Sequence, residues 1–274
     1  MKLSGSIHVG QSLDQLYDDL AQVFMGAAGL AIYQRGVFHV ALSGGTTPEP
    51  FYIRLVTDPR FRAIPWEKTH IWMVDERRVP ENDPRSNFRM IREALVDHVT
   101  ISRRQVHPMP VMEEDPAMLY EAQLAEAFDL PAPVTFAPGI SGKASPSAAA
   151  PGDAGHDPSV PQLDFVLLGM GDDAHTASLF PGSRAVSESR RWIAVNDGPS
   201  VTPPPRVTMT YPLLNASRRV AVLVTGAKKA ETLRRVERQL QSAGPDAMTM
   251  PITGIQPTGH NVLTWFMDQA AAGA

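Results

Sequence analysis

The segment LLGMGDDAHTASLFPG, Leu167 to Gly182, concentrates groups able to move protons. Gly169 and Gly171 follow a strand-like apolar run, and Asp172, Asp173 and His175 crowd the start of what reads as a short helix. An imidazole with an ordinary pKa of about 6.5 exchanges protons at neutral pH, and a neighbouring carboxylate orients such a ring and stabilises its charged form. His175 is therefore a candidate general base, with Asp173 or Asp75 as the orienting carboxylate. His8, His39, His70, His98, His107, His156 and His260 show no comparable partner pattern and read as structural or exposed.

A second group lies in ALSGGTTPEPFY, Ala41 to Tyr52, where a buried strand runs into a helix. Glycines allow backbone N–H groups to turn toward a ligand, Ser43, Thr46 and Thr47 add hydroxyls, and a helix N-terminus carries partial positive charge. Ser43, Gly44, Gly45 and Thr46 thus suit a phosphate or carboxylate, although a tight strand-to-helix turn with Thr47 as N-cap and Pro48 at the first helical position reads equally well. The loop DERRVPENDPRSNFR follows another strand. Most of its charges read as solvated surface, but Asp75, Glu76 and Arg77 stand at the strand's carboxyl end. Arg206 opens the short strand RVTMT, and Lys229 lies in the first turn of a later helix. Individually they read as a strand-edge arginine and a surface lysine; together with SGGTTP they complete an anion site.

Several chemistries are disfavoured. The Walker pattern G-x-x-x-x-G-K-[ST] is absent, and Ala41 stands where a G-x-S-x-G elbow needs its first glycine. Gly169-Met-Gly171-Asp-Asp-Ala174 formally matches a dinucleotide fingerprint, but two aspartates would repel a pyrophosphate. Asp172, Asp173 and His175 lack a second histidine at metal-ligand spacing. Neither metal nor cofactor is expected. A serine esterase using Ser43 and His175, and a non-catalytic sugar-sensing module, remain as alternatives.

These residues need a scaffold that gathers strand ends. The 274-residue chain is 43% hydrophobic with a net charge of −4, which gives no global attraction to nucleic acid or anionic lipid. It has no cysteine, no apolar run of membrane-spanning length, and no continuous apolar stretch in MKLSGSIHVG of the signal-peptide kind. A cytoplasmic protein without nucleic-acid or membrane partners, a monomer or weak homodimer, is expected. Helical spacing marks residues 13–30, 88–99, 116–128 and 227–240, with a further helix from Pro48 to about Val56 and a closing helix over 262–272. Strands are expected at 37–42, 70–74, 163–168, 192–195, 207–210 and 219–225. The alternation predicts an α/β fold with a mainly parallel twisted sheet and helices on both faces. A single domain over 1–274 is expected, with a mobile surface insertion at 131–162, where Pro, Gly, Ala and Ser replace aliphatic residues. Met109, Met112 and Met118 read as core fillers.

ALSGGTTP, WMVDERRVP with SNFR, FVLLGMGDDAHTASLFPG, RVTMT, VTGAKKAETL and a closing WFMDQAA, in this order, resemble the 6-phosphogluconolactonase family, relatives of glucosamine-6-phosphate deaminase. The resemblance implies a Rossmann-like fold and hydrolysis of a phosphosugar lactone. It implies that Ser43, Gly44, Gly45 and Thr46 with Arg206 and Lys229 hold the 6-phosphate, that Arg77 reaches the substrate, and that His175 is the base. Ala174 departs from it, standing where the family usually has glycine. Phe180 occupies the place of the carboxylate that assists ring opening in the deaminase branch, and an apolar ring cannot relay a proton.

Overall fold

The computed structural model describes residues 1–131 and 157–273. Of the expected insertion, residues 132–156 lie outside those described. Strand β1 (Ser6–Gly10) leads into α1 (Leu13–Arg35), which Ser12 opens by accepting a hydrogen bond from the Gln15 N–H. Gly36 closes that helix at φ +77°, a left-handed conformation glycine adopts without strain. Leu16, Leu20, Phe24, Ala28 and Ala31 recur every three or four residues and bury one stripe of α1 against the sheet.

The chain continues through β2 (Phe38–Leu42), α2 (Glu49–Thr57), β3 (Thr69–Met73), β4 (Asp75–Arg77), α3 (Asn87–Ala94), β5 (Val106–His107) and α4 (Pro116–Ala127). Beyond residue 156 come β6 (Phe165–Leu168), β7 (Ile193–Asn196), β8 (Arg206–Met209), α5 (Tyr211–Ala216), β9 (Arg219–Val224), α6 (Lys229–Ser242), β10 (Val262–Asp268) and α7 (Gln269–Ala272). Seven strands form one sheet in the order β1-β10-β9-β6-β2-β3-β5, and every pairing in it is parallel. The central strands β2 and β6 are buried at every residue, as expected where helices cover both faces. The chain leaves β2 toward β3 and leaves β6 toward β9, so strand order reverses between them. Such a reversal opens a crevice at the strands' carboxyl ends. A small antiparallel sheet, β4-β8-β7, stands beside this edge.

Two expectations need correction. Residues 262–272 are not a helix: Val262–Asp268 form β10 between β1 and β9, and only Gln269–Ala272 are helical. Trp265, Phe266 and Met267 are all buried, so the run lacks the alternation that would have announced a strand. Asp75 to Arg77, taken as loop, form β4 because β8 offers them an antiparallel partner.

Near the start of β2 and β3, His39, His70 and His107 are brought together with Trp72. The Trp72 indole N–H donates to His39 Nδ1 at 3.2 Å, and His70 Nδ1 lies 3.0 Å from His107 Nε2. The His107 ring stacks on Trp72 with centroids 3.7 Å apart, and Phe128 covers His39. Burial is the main cause that pulls His39 down to about 3 and His107 to about 4, with the neighbouring imidazoles adding to it.

Candidate active site

A cavity of about 290 Å³ occupies the crevice between the ends of β2 and β6. Ser43, Gly44, Gly45, Thr46, Asp75, Arg77, His175 and Lys229 all line it. Asp173 and Arg206 stand outside that wall, Asp173 on His175 and Arg206 beside Arg77.

After β2 the chain turns sharply. The Ser43 hydroxyl donates to the Leu167 carbonyl at 2.7 Å, fastening this loop to the end of β6, and the Tyr52 hydroxyl donates to the Ser43 carbonyl at 2.6 Å. Gly45 adopts φ +102°. Pro48, not Thr47, stands at the N-cap of α2, without a side-chain cap. Among the described residues the N–H groups of Gly44, Gly45 and Thr46 make no hydrogen bond, leaving three donors at a helix N-terminus for an anion. The Ser43 proton is already committed to Leu167, and nothing joins Ser43 to His175. This geometry does not activate a serine nucleophile.

Antiparallel pairing of β4 with β8 sets Asp75 opposite Thr208 and Arg77 opposite Arg206, all on one face. Burial, then the facing Arg77 charge, pulls the Arg206 guanidinium below its ordinary value. The Nε atoms of both arginines are buried without a hydrogen-bond partner among the described residues. Of their terminal nitrogens, Arg77 Nη1 donates to the Arg85 carbonyl and Arg206 Nη2 to the Thr202 carbonyl at 3.2 Å, which fixes the two cations beside each other. Beneath them Glu76 accepts from the N–H groups of Arg77, Asn87 and Phe88 and from the Ser86 hydroxyl, at 2.7–2.9 Å. Burial raises its carboxyl above the usual range despite these bonds.

The histidine loop is not the short helix expected. Its turn is closed by the Gly171 N–H donating to the His175 carbonyl at 2.8 Å, and Ala174 and Ala177 lie at φ +66° and +49°. His175 Nδ1 sits 2.5 Å from Asp173 Oδ1. Since a carboxylate only accepts, Nδ1 carries a proton, and in the neutral ring the lone pair is on Nε2. Burial alone would raise Asp173, but its bond to and the charge of His175 outweigh this and hold it below the ordinary carboxylate value. A Cβ on Gly171 would lie 2.1 Å from His175 Nδ1, so the ring can occupy this position only beside glycine. Phe180 packs against the imidazole, centroids 4.6 Å apart, while its ring also meets the Arg206 guanidinium at 5.8 Å.

Asp75 does not touch His175. Its carboxylate accepts from the Ser178 hydroxyl at 2.5 Å and from Asn87 Nδ2 at 3.2 Å, tying β4 to the histidine loop. Lys229 Nζ lies 2.6 Å from Asp172, which shares its charge. Ser178 and Asn87 escaped the sequence reading because their partner, Asp75, is 103 and 12 residues away, with no local pattern to reveal either contact. Among the described residues no group of three or more His, Cys, Asp or Glu side chains is arranged to hold a metal ion.

A sequence profile described as "Glucosamine-6-phosphate isomerases/6-phosphogluconolactonase" matches residues 11–265. The chain belongs to this family. It is 38% identical to the 6-phosphogluconolactonase of Synechocystis, over 88% of this chain and 86% of that one. It is 35% identical to part of the rabbit GDH/6PGL endoplasmic bifunctional protein, spanning 94% of this chain and 29% of that longer protein. The solved structure of 6-phosphogluconolactonase from Trypanosoma cruzi superposes with a TM-score of 0.74 at 25% identity, covering 100% of this chain and 97% of that one. Phe180 presents an apolar ring to His175, a group that cannot carry a proton.

Proposed function

We propose that the protein hydrolyses 6-phospho-D-glucono-1,5-lactone to 6-phospho-D-gluconate, the lactonase step of the oxidative pentose phosphate pathway, without metal or other cofactor. The observation that carries this reading is the lock of His175 Nδ1 on Asp173. It leaves Nε2 as a base in a cavity lined by unused N–H donors and cations.

In the proposed mechanism the 6-phosphate sits on the Gly44–Thr46 amides, with Arg206 and Lys229 supplying charge. Remote binding energy then aligns the lactone carbonyl with a water beside His175. Nε2 removes a proton from that water as its oxygen attacks C1, and Asp173 stabilises the imidazolium that forms. Arg77 with a loop N–H meets the oxyanion. When the tetrahedral adduct collapses, the C1–O5 bond breaks and the imidazolium returns the proton to O5, leaving an open-chain acid. Asp75 acts here as a tether between loops, and Asp173 as the orienting carboxylate.

Deaminase chemistry fits less well, because Phe180 offers no proton relay, and a purely sensing role leaves the His175–Asp173 pair without a task. The proposal includes one domain, a cytoplasmic setting, a monomer or weak homodimer, and the phosphosugar lactone as partner, with neither nucleic acid nor membrane. It is supported by the modest negative charge, and among the described residues no helix is long and apolar enough to cross a membrane. His175→Ala should abolish most turnover of freshly generated lactone above the uncatalysed rate while leaving 6-phosphogluconate binding nearly intact. Glucosamine 6-phosphate assayed alongside should not react. Surviving turnover in the variant would remove His175 from the mechanism.

A further inference from the structure

Ser178 follows His175 by three residues and is 1% exposed. Its hydroxyl, N–H and carbonyl are all engaged, and each partner comes from a different strand of the small sheet. The hydroxyl donates to Asp75 Oδ2 of β4 at 2.5 Å, and the N–H donates to Thr208 Oγ1 of β8 at 3.1 Å. The carbonyl accepts from Asn196 Nδ2 of β7 at 2.8 Å.

Antiparallel register explains this convergence. Asp75 pairs with Thr208, while Arg206 pairs with Arg77 on one side and Asn196 on the other. Side chains two apart along a strand, or directly opposite across a ladder, share a face. One face of the small sheet therefore carries the three groups that grip Ser178 and also the two arginines. The base and the cations are referenced to a single rigid element.

The histidine loop needs such a grip. Ala174 and Ala177 are both left-handed, a conformation that alanine keeps only where its surroundings over-determine it. The Gly171 N–H on the His175 carbonyl and the Thr176 hydroxyl on the Gly169 carbonyl shape the turn from within. The Ile252 N–H and the Thr232 hydroxyl, on the carbonyls of Ala174 and Asp172, tie its front to the C-terminal part of the chain. None of these bonds sets the loop's position relative to Arg77 and Arg206. Ser178, directly after Ala177, does.

We propose that Ser178 is a positioning residue: held by Asp75, Thr208 and Asn196, it sets where His175 stands relative to Arg77 and Arg206. This rests on the lactonase reading above and deepens it, since it gives the small sheet a task in that site. A general base acts only within hydrogen-bond reach of its proton, and a displacement of about 1 Å costs on the order of 100-fold in rate.

The test uses two variants that weaken the grip from different sides. Ser178→Ala removes the bond to Asp75, and the isosteric Thr208→Val removes the acceptor of the Ser178 N–H. Each is assayed on freshly generated 6-phosphogluconolactone, below its melting temperature and per folded molecule. Both should lower kcat by about 10- to 100-fold, with KM changed by less than about threefold. A merely structural role would lower the melting temperature and leave kcat per folded molecule unchanged, which overturns the proposal. Crystal structures give a readout independent of turnover: in Ser178→Ala the distance from His175 Nε2 to the Arg77 guanidinium should change by about 1 Å. If Ser178→Ala does not fold, Thr208→Val decides by the same two measurements. Should wild type accelerate no lactone, the reaction assignment fails; the crystal comparison then tests Ser178 separately, and an unmoved imidazole overturns its role.

Discussion

The histidine cluster predicts an acid-labile core, and replacing His107 with phenylalanine isolates its contribution. An imidazole in the unfolded chain titrates near about 6.5, whereas His107 is pulled down to about 4 and His39 to about 3 in the folded protein. Between these values the unfolded chain binds more protons, so stability rises with pH in this window. The contribution is complete above about pH 6.5 and is lost progressively as pH falls toward the folded values. At pH 5 the unfolded imidazole lies about 1.5 units below its own pKa, and at about 1.4 kcal/mol per unit each histidine has cost about 2 kcal/mol. His107→Phe keeps an aromatic ring against Trp72 and removes the titration. Urea unfolding at pH 7.5 and pH 5 should show the variant losing about 2 kcal/mol less than wild type over this interval. Asp164 and Glu76, whose carboxyls are raised chiefly by burial, act in the opposite sense but cancel in the comparison. Equal pH dependence in the two proteins would refute the reasoning.

Two substitutions test the loop that carries the base. Gly171→Ala places a methyl within 2.1 Å of His175 Nδ1 and must displace the ring, so kcat should fall by at least about 100-fold with KM changed much less; steady-state kinetics at near-wild-type kcat would show the ring does not need this space. Ala174 is fully buried at φ +66°. Relief of about 1–2 kcal/mol of left-handed strain in Ala174→Gly is offset by about 0.8 kcal/mol of lost methyl burial and about 0.5–1 kcal/mol of added chain entropy. That variant should therefore be within about 1 kcal/mol of wild type in thermal unfolding, whereas Ala174→Val, branched and overpacked, should lose at least about 2 kcal/mol.

The near-balance expected at Ala174 is how an alanine can keep the left-handed turn of this loop. The strand-end glycines were legible because each marks a local need: Gly45 a positive φ, Gly171 room for a ring. Asp173 was legible as one of two candidate partners of His175 because it stands two residues away, but choosing it over Asp75 took the structure. Asn87, Ser178 and the Arg77–Arg206 pair were not, since each depends on segments brought together only by sheet order and register. The same limit hid β1, a half-exposed five-residue strand, and disguised β10, whose apolar run fits helix and buried strand equally until its neighbours are known.

Because β1 takes its sheet neighbour from β10, with Ser6 opposite Thr264, strands more than 250 residues apart are joined side by side. The cavity draws on positions as far apart as Ser43 and Lys229, and the β6 loop between them is flanked by β9 on one side and β2 on the other. The β2–β3 half supplies Ser43, Gly44, Asp75 and Arg77, and the β6–β9 half supplies His175 and Lys229. Joining the two halves along the β2–β6 seam is what makes a pocket out of loops that neither half could close alone.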